Sequence, residues 1–202
     1  MKSTSRLFLL FSALSLVIAG CTTTSAPPAN TPQDKAAGTD GKTPALPAPT
    51  CKSVDAIGKK TIPPEIYDDM RQCALTENYD KGVALFALAG AYSFYDALRM
   101  EDPLTAQVRT DLLRDSLNSL DLPHKTALND AIMGVLDNDE KLASICKEVA
   151  RAGPPSYYPA YMILQGKDGA ATVKSGGGLF TPHDTKATWA AAFNGFLHCP
   201  QP

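Results

Sequence analysis

The chain has 202 residues, 44% of them hydrophobic and 7% aromatic, with 19 basic and 21 acidic side chains giving a formal charge of −2. That balance supplies no basic excess of the kind a nucleic-acid footprint requires, so nucleic acid is excluded as an expected partner. The apolar fraction is sufficient for a core, but it is unevenly spread along the chain.

Residues 1–20 open with Lys2 and Arg6, continue through the apolar run "LFLLFSALSLVIA" and end on the small pair Ala19-Gly20 before Cys21. A positive start, an apolar middle and a small-residue end make a secretory signal, and the run falls short of the ~20 apolar residues that span a bilayer. The ending "VIAGC" resembles the lipobox of bacterial lipoproteins, in which an aliphatic residue and two small residues precede an obligatory cysteine. The resemblance covers residues 1–21 and implies that the peptide before Cys21 is removed and that Cys21 is acylated. It further implies a lipid anchor in the membrane. The residue after the cysteine is Thr22 rather than the aspartate that marks inner-membrane retention in such lipoproteins, which implies the outer membrane and its periplasmic face. At ~0.8 kcal/mol per buried methylene, two or three acyl chains hold a soluble domain firmly. Loss of Lys2 and Arg6 with the signal moves the formal charge of the remainder from −2 to −4.

Residues 21–50 read as the acylated cysteine and a tether. The stretch 22–50 holds six prolines, two glycines, no aromatic residue and one large aliphatic, Leu46, too little apolar surface to offset the entropy of ordering. As a flexible coil its ends lie roughly 30 Å apart, and fully extended it reaches about 100 Å. The remainder, residues 51–202, suits a single periplasmic domain, since a domain of about 150 residues buries roughly 70% of its unfolded surface.

Within that domain helical periodicity dominates. Prolines open "TIPPEIYDDMRQCALTEN", which places Ile66, Met70, Cys73 and Ala74 on one face. "NYDKGVALFALAGAYSFYDALRM" is apolar nearly all round and belongs in the middle of a bundle. Asp102 and Pro103 make a cap and first position for a helix through residue 120, whose apolar stripe is Leu104, Val108, Leu112, Leu117 and Leu120. Further helices follow over "PHKTALNDAIMGVLDN" and "DEKLASICKEVARAG", the latter with acids at its front and Lys147 and Arg151 near its end. "PAYMILQ" suits a short helix, although "YMIL" alone also fits a strand. Asp184 caps a last helix carrying Trp189, Phe193, Phe196 and Leu197. No stretch alternates well enough to argue for a sheet. The expected fold is all-α, an antiparallel bundle or helix-hairpin array of about six to seven helices.

Residues 62–95 resemble one loose tetratricopeptide-like helix pair, with Tyr79, Gly82, Phe86 and Ala89 at second-helix offsets. Ile66 stands where the family has a large aromatic, and no second copy follows at the repeat's spacing of about 34 residues. An ordinary antiparallel helix pair accounts for the same pattern.

With Cys21 acylated, Cys51, Cys73, Cys146 and Cys199 remain. Four cysteines in an exported domain argue for two disulfides, and pairing each with its nearest neighbour gives Cys51–Cys73 and Cys146–Cys199. A zinc site is the rival reading, but no C-x-x-C is present.

Chemistry is hard to find. "SICK", "SLN" and "KSG" match the short motifs of penicillin-binding proteins, but Ser116 precedes Ser144, the reverse of the required order. "DNDE" at 137–140 lacks the glycine and terminal acid of a calcium loop. His124, His183 and His198 are scattered, with neither G-x-S-x-G nor H-E-x-x-H. No cofactor or metal motif is found, and no enzyme is expected. The glycine-rich stretch 166–180 lacks a phosphate-loop ending and reads as a mobile surface loop, or as a binding loop. "SYYPAY" concentrates Tyr157, Tyr158 and Tyr161, residues suited either to packing between helices or to a binding surface. The expected function is binding of a periplasmic protein or peptide partner, an immunity or inhibitor lipoprotein being one form of it. The alternatives are a structural subunit of an envelope complex and a cell-envelope hydrolase.

Overall fold

The computed structural model describes residues 50–199. The signal segment, Cys21 and the tether before residue 50 lie outside them. The described residues form an all-α bundle with two disulfides. A 3-10 turn at Val54–Ala56 precedes α1 (Pro63–Leu75), α2 (Tyr79–Ala97), α3 (Pro103–Ala106), α4 (Val108–Asn118), α5 (Leu122–Leu136), α6 (Asp139–Ala152), α7 (Ala160–Ile163), α8 (Gly169–Ser175) and α9 (Thr185–Ala192). The last of these runs on as a π turn over Phe193–Leu197.

The apolar character of α2 has the cause expected of it. This helix touches α1, α4, α5, α6, α9 and the π turn, so almost every side finds a neighbour, and Leu85, Leu88, Ala91 and Tyr92 are fully buried. The helix pair α1–α2 packs along its length across a three-residue connection. Ile66, Met70, Cys73 and Ala74 of α1 are all buried in the main core, as their spacing required. Side-chain caps define the helix starts. Asp102 accepts a hydrogen bond from the Leu104 amide (2.9 Å), Asn138 from that of Lys141 (2.9 Å), and Asp184 from those of Lys186 and Ala187 (2.9 and 3.0 Å). The disulfides join Cys51 to Cys73 and Cys146 to Cys199, stapling the first described residues to α1 and the last to α6. All four cysteines are therefore bonded to one another, which removes the thiolates a zinc site would need.

Two expectations need correction. The helix expected across residues 103–120 divides at Gln107 into α3 and α4, and its apolar stripe is covered unevenly: Leu120 is buried, Val108, Leu112 and Leu117 are half-buried against the two cores, and Leu104 is 68% exposed. The reason is positional. This arm packs on the flank of α1 and α2, and among the described residues its apolar side stays uncovered at Leu104.

The glycine-rich stretch is not a loop throughout, because α8 forms inside it. Its glycines serve close approach. A Cβ on Gly169 would stand 2.4 Å from the Ile163 carbonyl oxygen and 2.8 Å from the Leu164 Cα, so only glycine lets α8 press on α7. The segment is held further by the Tyr158 hydroxyl donating to the Gly177 carbonyl (2.6 Å), and by the Glu101 and Phe180 amides donating to the Gly178 and Arg99 carbonyls (3.1 and 2.9 Å). These contacts enclose a second, smaller core of Met100, Met162 and Ile163 beside the main one.

Candidate functional site

The last turn of α2 carries Asp96, and Arg99 follows two residues past the helix end, an acid and a base three residues apart among otherwise apolar neighbours. Asp96 is 0% and Arg99 6% exposed. One Asp96 carboxylate oxygen, Oδ1, accepts from the Arg99 guanidinium. The other, Oδ2, accepts from the hydroxyls of Tyr157 (2.8 Å) and Tyr161 (2.9 Å). The Arg99 guanidinium also lies 4.5 Å above the centre of the Tyr95 ring. Both carboxylate oxygens are thus occupied by protein donors inside the fold. The cluster is a clip that holds the segment 157–161 down on α2.

The three tyrosines singled out by sequence are half-buried, and their hydroxyls turn inward, two to Asp96 and that of Tyr158 to Gly177. What they offer outward is the side of the ring. Burial is the main influence on the cluster's ionisation. It lifts the Asp96 carboxyl above the usual range, with Arg99 and the two hydroxyls pulling it part-way back. Burial, and then the Asp96 charge, push the Tyr157 and Tyr161 phenols far up and that of Tyr92 up to about 12; burial alone raises Tyr67. A phenol whose folded pKa exceeds its unfolded value adds stability that is complete below the unfolded value of about 10 and is lost as pH rises toward the folded one. The melting temperature is therefore expected to fall steadily above about pH 10, and to fall less steeply in Tyr157→Phe/Tyr161→Phe. A melting temperature that holds level to about pH 11 contradicts the burial described.

Tyr161 also forms part of a wall. An open groove of about 600 Å³ runs between the α3–α4 arm and α7. The arm supplies Leu104, Gln107, Val108, Asp111, Leu112 and Asp115, positions that recur on one helical face. Facing them are Tyr161, Leu164 and Gln165, with Pro64 of α1 beside them. From Leu104 to Asp115 the groove is ~16 Å long at 1.5 Å per residue. Leu104 and Leu164, on opposite walls, are 68% and 50% exposed. Part of the apolar stripe of the 103–120 segment, Leu104, Val108 and Leu112, thus borders the groove, while Leu117 and Leu120 turn to the main core. A second hollow of about 230 Å³, lined by Phe86, Ile132, Leu136, Leu142, Ile145 and Phe196 among others, is almost wholly apolar.

No family model, curated protein or solved structure matches the chain. The site therefore rests on its own geometry.

The remaining candidates stay apart. Ser116 lies on α4 with its hydroxyl donating to the Leu112 carbonyl (2.7 Å), Ser144 on α6 and Lys174 on α8. His124 Nδ1 pairs with Asp121 (2.7 Å) at the start of α5, His183 stands 3.5 Å from the Tyr95 hydroxyl, and His198 is exposed next to Cys199. Among the described residues no group of three or more His, Cys, Asp or Glu side chains could hold a metal ion. Sequence reasoning passed over Asp96 and Arg99, although one local signal was present: an acid on a helix that is apolar all round, followed three residues later by an arginine, must find its partners inside.

Proposed function

We propose that this chain is a lipoprotein, anchored through an acylated Cys21 to the periplasmic face of the outer membrane, whose helical domain docks a protein or peptide partner. The lipobox resemblance supports the anchor and its placement. The observation that carries the docking role is the groove, where a helical arm with a regular apolar stripe leaves Leu104 open to solvent opposite Leu164. Helical grooves of this form accept an extended or helical segment of another chain. The walls are firm, because Tyr161 is fixed through its hydroxyl to Asp96 and the arm is capped by Asp102.

Full burial of a leucine is worth about 1.5–3 kcal/mol, and roughly half of that remains to be gained at each of these two positions, ~2–3 kcal/mol together. Leu104→Glu/Leu164→Glu is accordingly expected to weaken recovery of the partner, cross-linked in intact cells, by roughly 30- to 150-fold. Helix content and both disulfides should be retained, since neither side chain is core. Leu122→Glu, at a position on α5 that is 76% exposed and away from the groove, serves as the control. Undiminished recovery by the groove variant rules this surface out.

A further inference from the structure

We infer that the groove is built for a cationic amphipathic segment, one that sets an apolar side chain between Leu104 and Leu164 and a lysine or arginine against Asp111 and Asp115. This rests on the docking role proposed above and specifies the chemistry of the partner. The groove is polarised along its length. Leu104, Val108 and Leu164 make one part apolar, the amides of Gln107 and Gln165 stand beside them, and Asp111 and Asp115 follow toward the far end of the arm with Leu112 between them. Among the described residues no lysine or arginine lines it.

The acids keep a surplus of charge. Arg114 reaches both, at 2.8 Å from Asp111 and 3.1 Å from Asp115, so a single guanidinium stands against two carboxylates. Both acids are more than half exposed, free to meet a further cation, and the unfavourable step of burying a charge is avoided. Such rim charges contribute to choice of partner and to the rate of encounter more than to affinity. An anionic segment would meet repulsion there, and a purely apolar one would desolvate the two carboxylates without replacing their water.

Spacing sharpens the expectation. Leu104 and Asp111 are seven residues apart, ~10 Å along the arm. A partner spans that distance with an apolar residue and a cation about seven positions apart if helical, or about three apart if extended. The second hollow offers no such discrimination, having almost no polar lining.

The test places a photo-cross-linking phenylalanine at position 104 or 164 of the full chain in growing cells, irradiates, and maps the joined segment by mass spectrometry. Both positions should link to another protein, at a segment carrying lysine or arginine at the spacing given. The charge reversal Asp111→Lys/Asp115→Lys should lower the yield at least tenfold. Should that variant misfold by circular dichroism, Asp111→Asn/Asp115→Asn, isosteric at exposed positions, should lower the yield and weaken its dependence on salt. A linked segment without a cation, a link to residues 22–49 or to a second copy of this chain, or a yield indifferent to the two acids overturns the inference; a partner segment lacking cations would still leave the docking role standing. Absence of any link from both positions removes the docking role as well.

Discussion

Replacing Asp96 by alanine is expected to destabilise the domain by about 3–5 kcal/mol, the usual cost of removing one partner from a buried ion pair. The variant leaves the Arg99 guanidinium at a site only 6% exposed without the Asp96 carboxylate, and among the described residues the Arg99 Nε has no hydrogen-bond partner to begin with. It also strips the acceptor from the Tyr157 and Tyr161 hydroxyls, and a donor left unsatisfied in the interior costs about 1–3 kcal/mol. Domains are stable by only about 5–15 kcal/mol, so the loss is a large share of the total. Asp96→Asn keeps an acceptor oxygen and should lose less. Urea unfolding can be followed by the fluorescence of Trp189, the single tryptophan, which packs against Tyr92, Tyr95 and Phe193 in the core. An Asp96→Ala midpoint equal to the wild type would show that the clip contributes nothing. The same substitution frees Tyr161 from its anchor, so loss of partner binding should exceed that of a variant equally destabilised elsewhere.

The second large effect concerns the disulfide that closes the chain. Cys146→Ser/Cys199→Ser should cost ~4 kcal/mol and Cys51→Ser/Cys73→Ser ~3 kcal/mol, because the loops they close span 53 and 22 residues and the unfolded-state entropy removed grows with loop length. The first bond also guards more structure. Cys199 fastens the π turn to the body of the bundle, and that turn seats Phe196 over Gly90 of α2, where a Cβ would stand 1.9 Å from the ring. Urea unfolding of each double variant under non-oxidising conditions gives the comparison. Equal losses, or a larger loss at Cys51–Cys73, would contradict the ranking.

Much of this architecture is legible in the sequence, for reasons tied to particular residues. The caps at Asp102 and Asp184 are local chemistry, and local chemistry can be read from neighbours. The buried place of α2 follows from its lack of a polar face, and the nearest-neighbour pairing of cysteines matches the bonds found. Periodicity shows which side of a helix is apolar but not what covers it. Leu104 and Val108 belong to the apolar stripe that the spacing shows, and they line a groove whose other wall, at α7, lies some 55 residues further along. The glycine-rich stretch 166–180 reads from sequence as a loop, whereas the missing side chain of Gly169 serves contact with Ile163 and Leu164. Of the Asp96 clip only Arg99 is local; the two hydroxyl donors, Tyr157 and Tyr161, are 61 and 65 residues away and could not be read from neighbours.

The proposed role places this helical domain at a membrane, held by lipid at residue 21. Intact-mass spectrometry of the full chain, extracted with detergent from the membranes of cells that express it, tests that claim most directly. The account requires a protein that begins at Cys21 and carries the added mass of acyl chains, with four further cysteines oxidised in pairs. A chain that retains residues 1–20, or one that starts elsewhere without lipid, would contradict it.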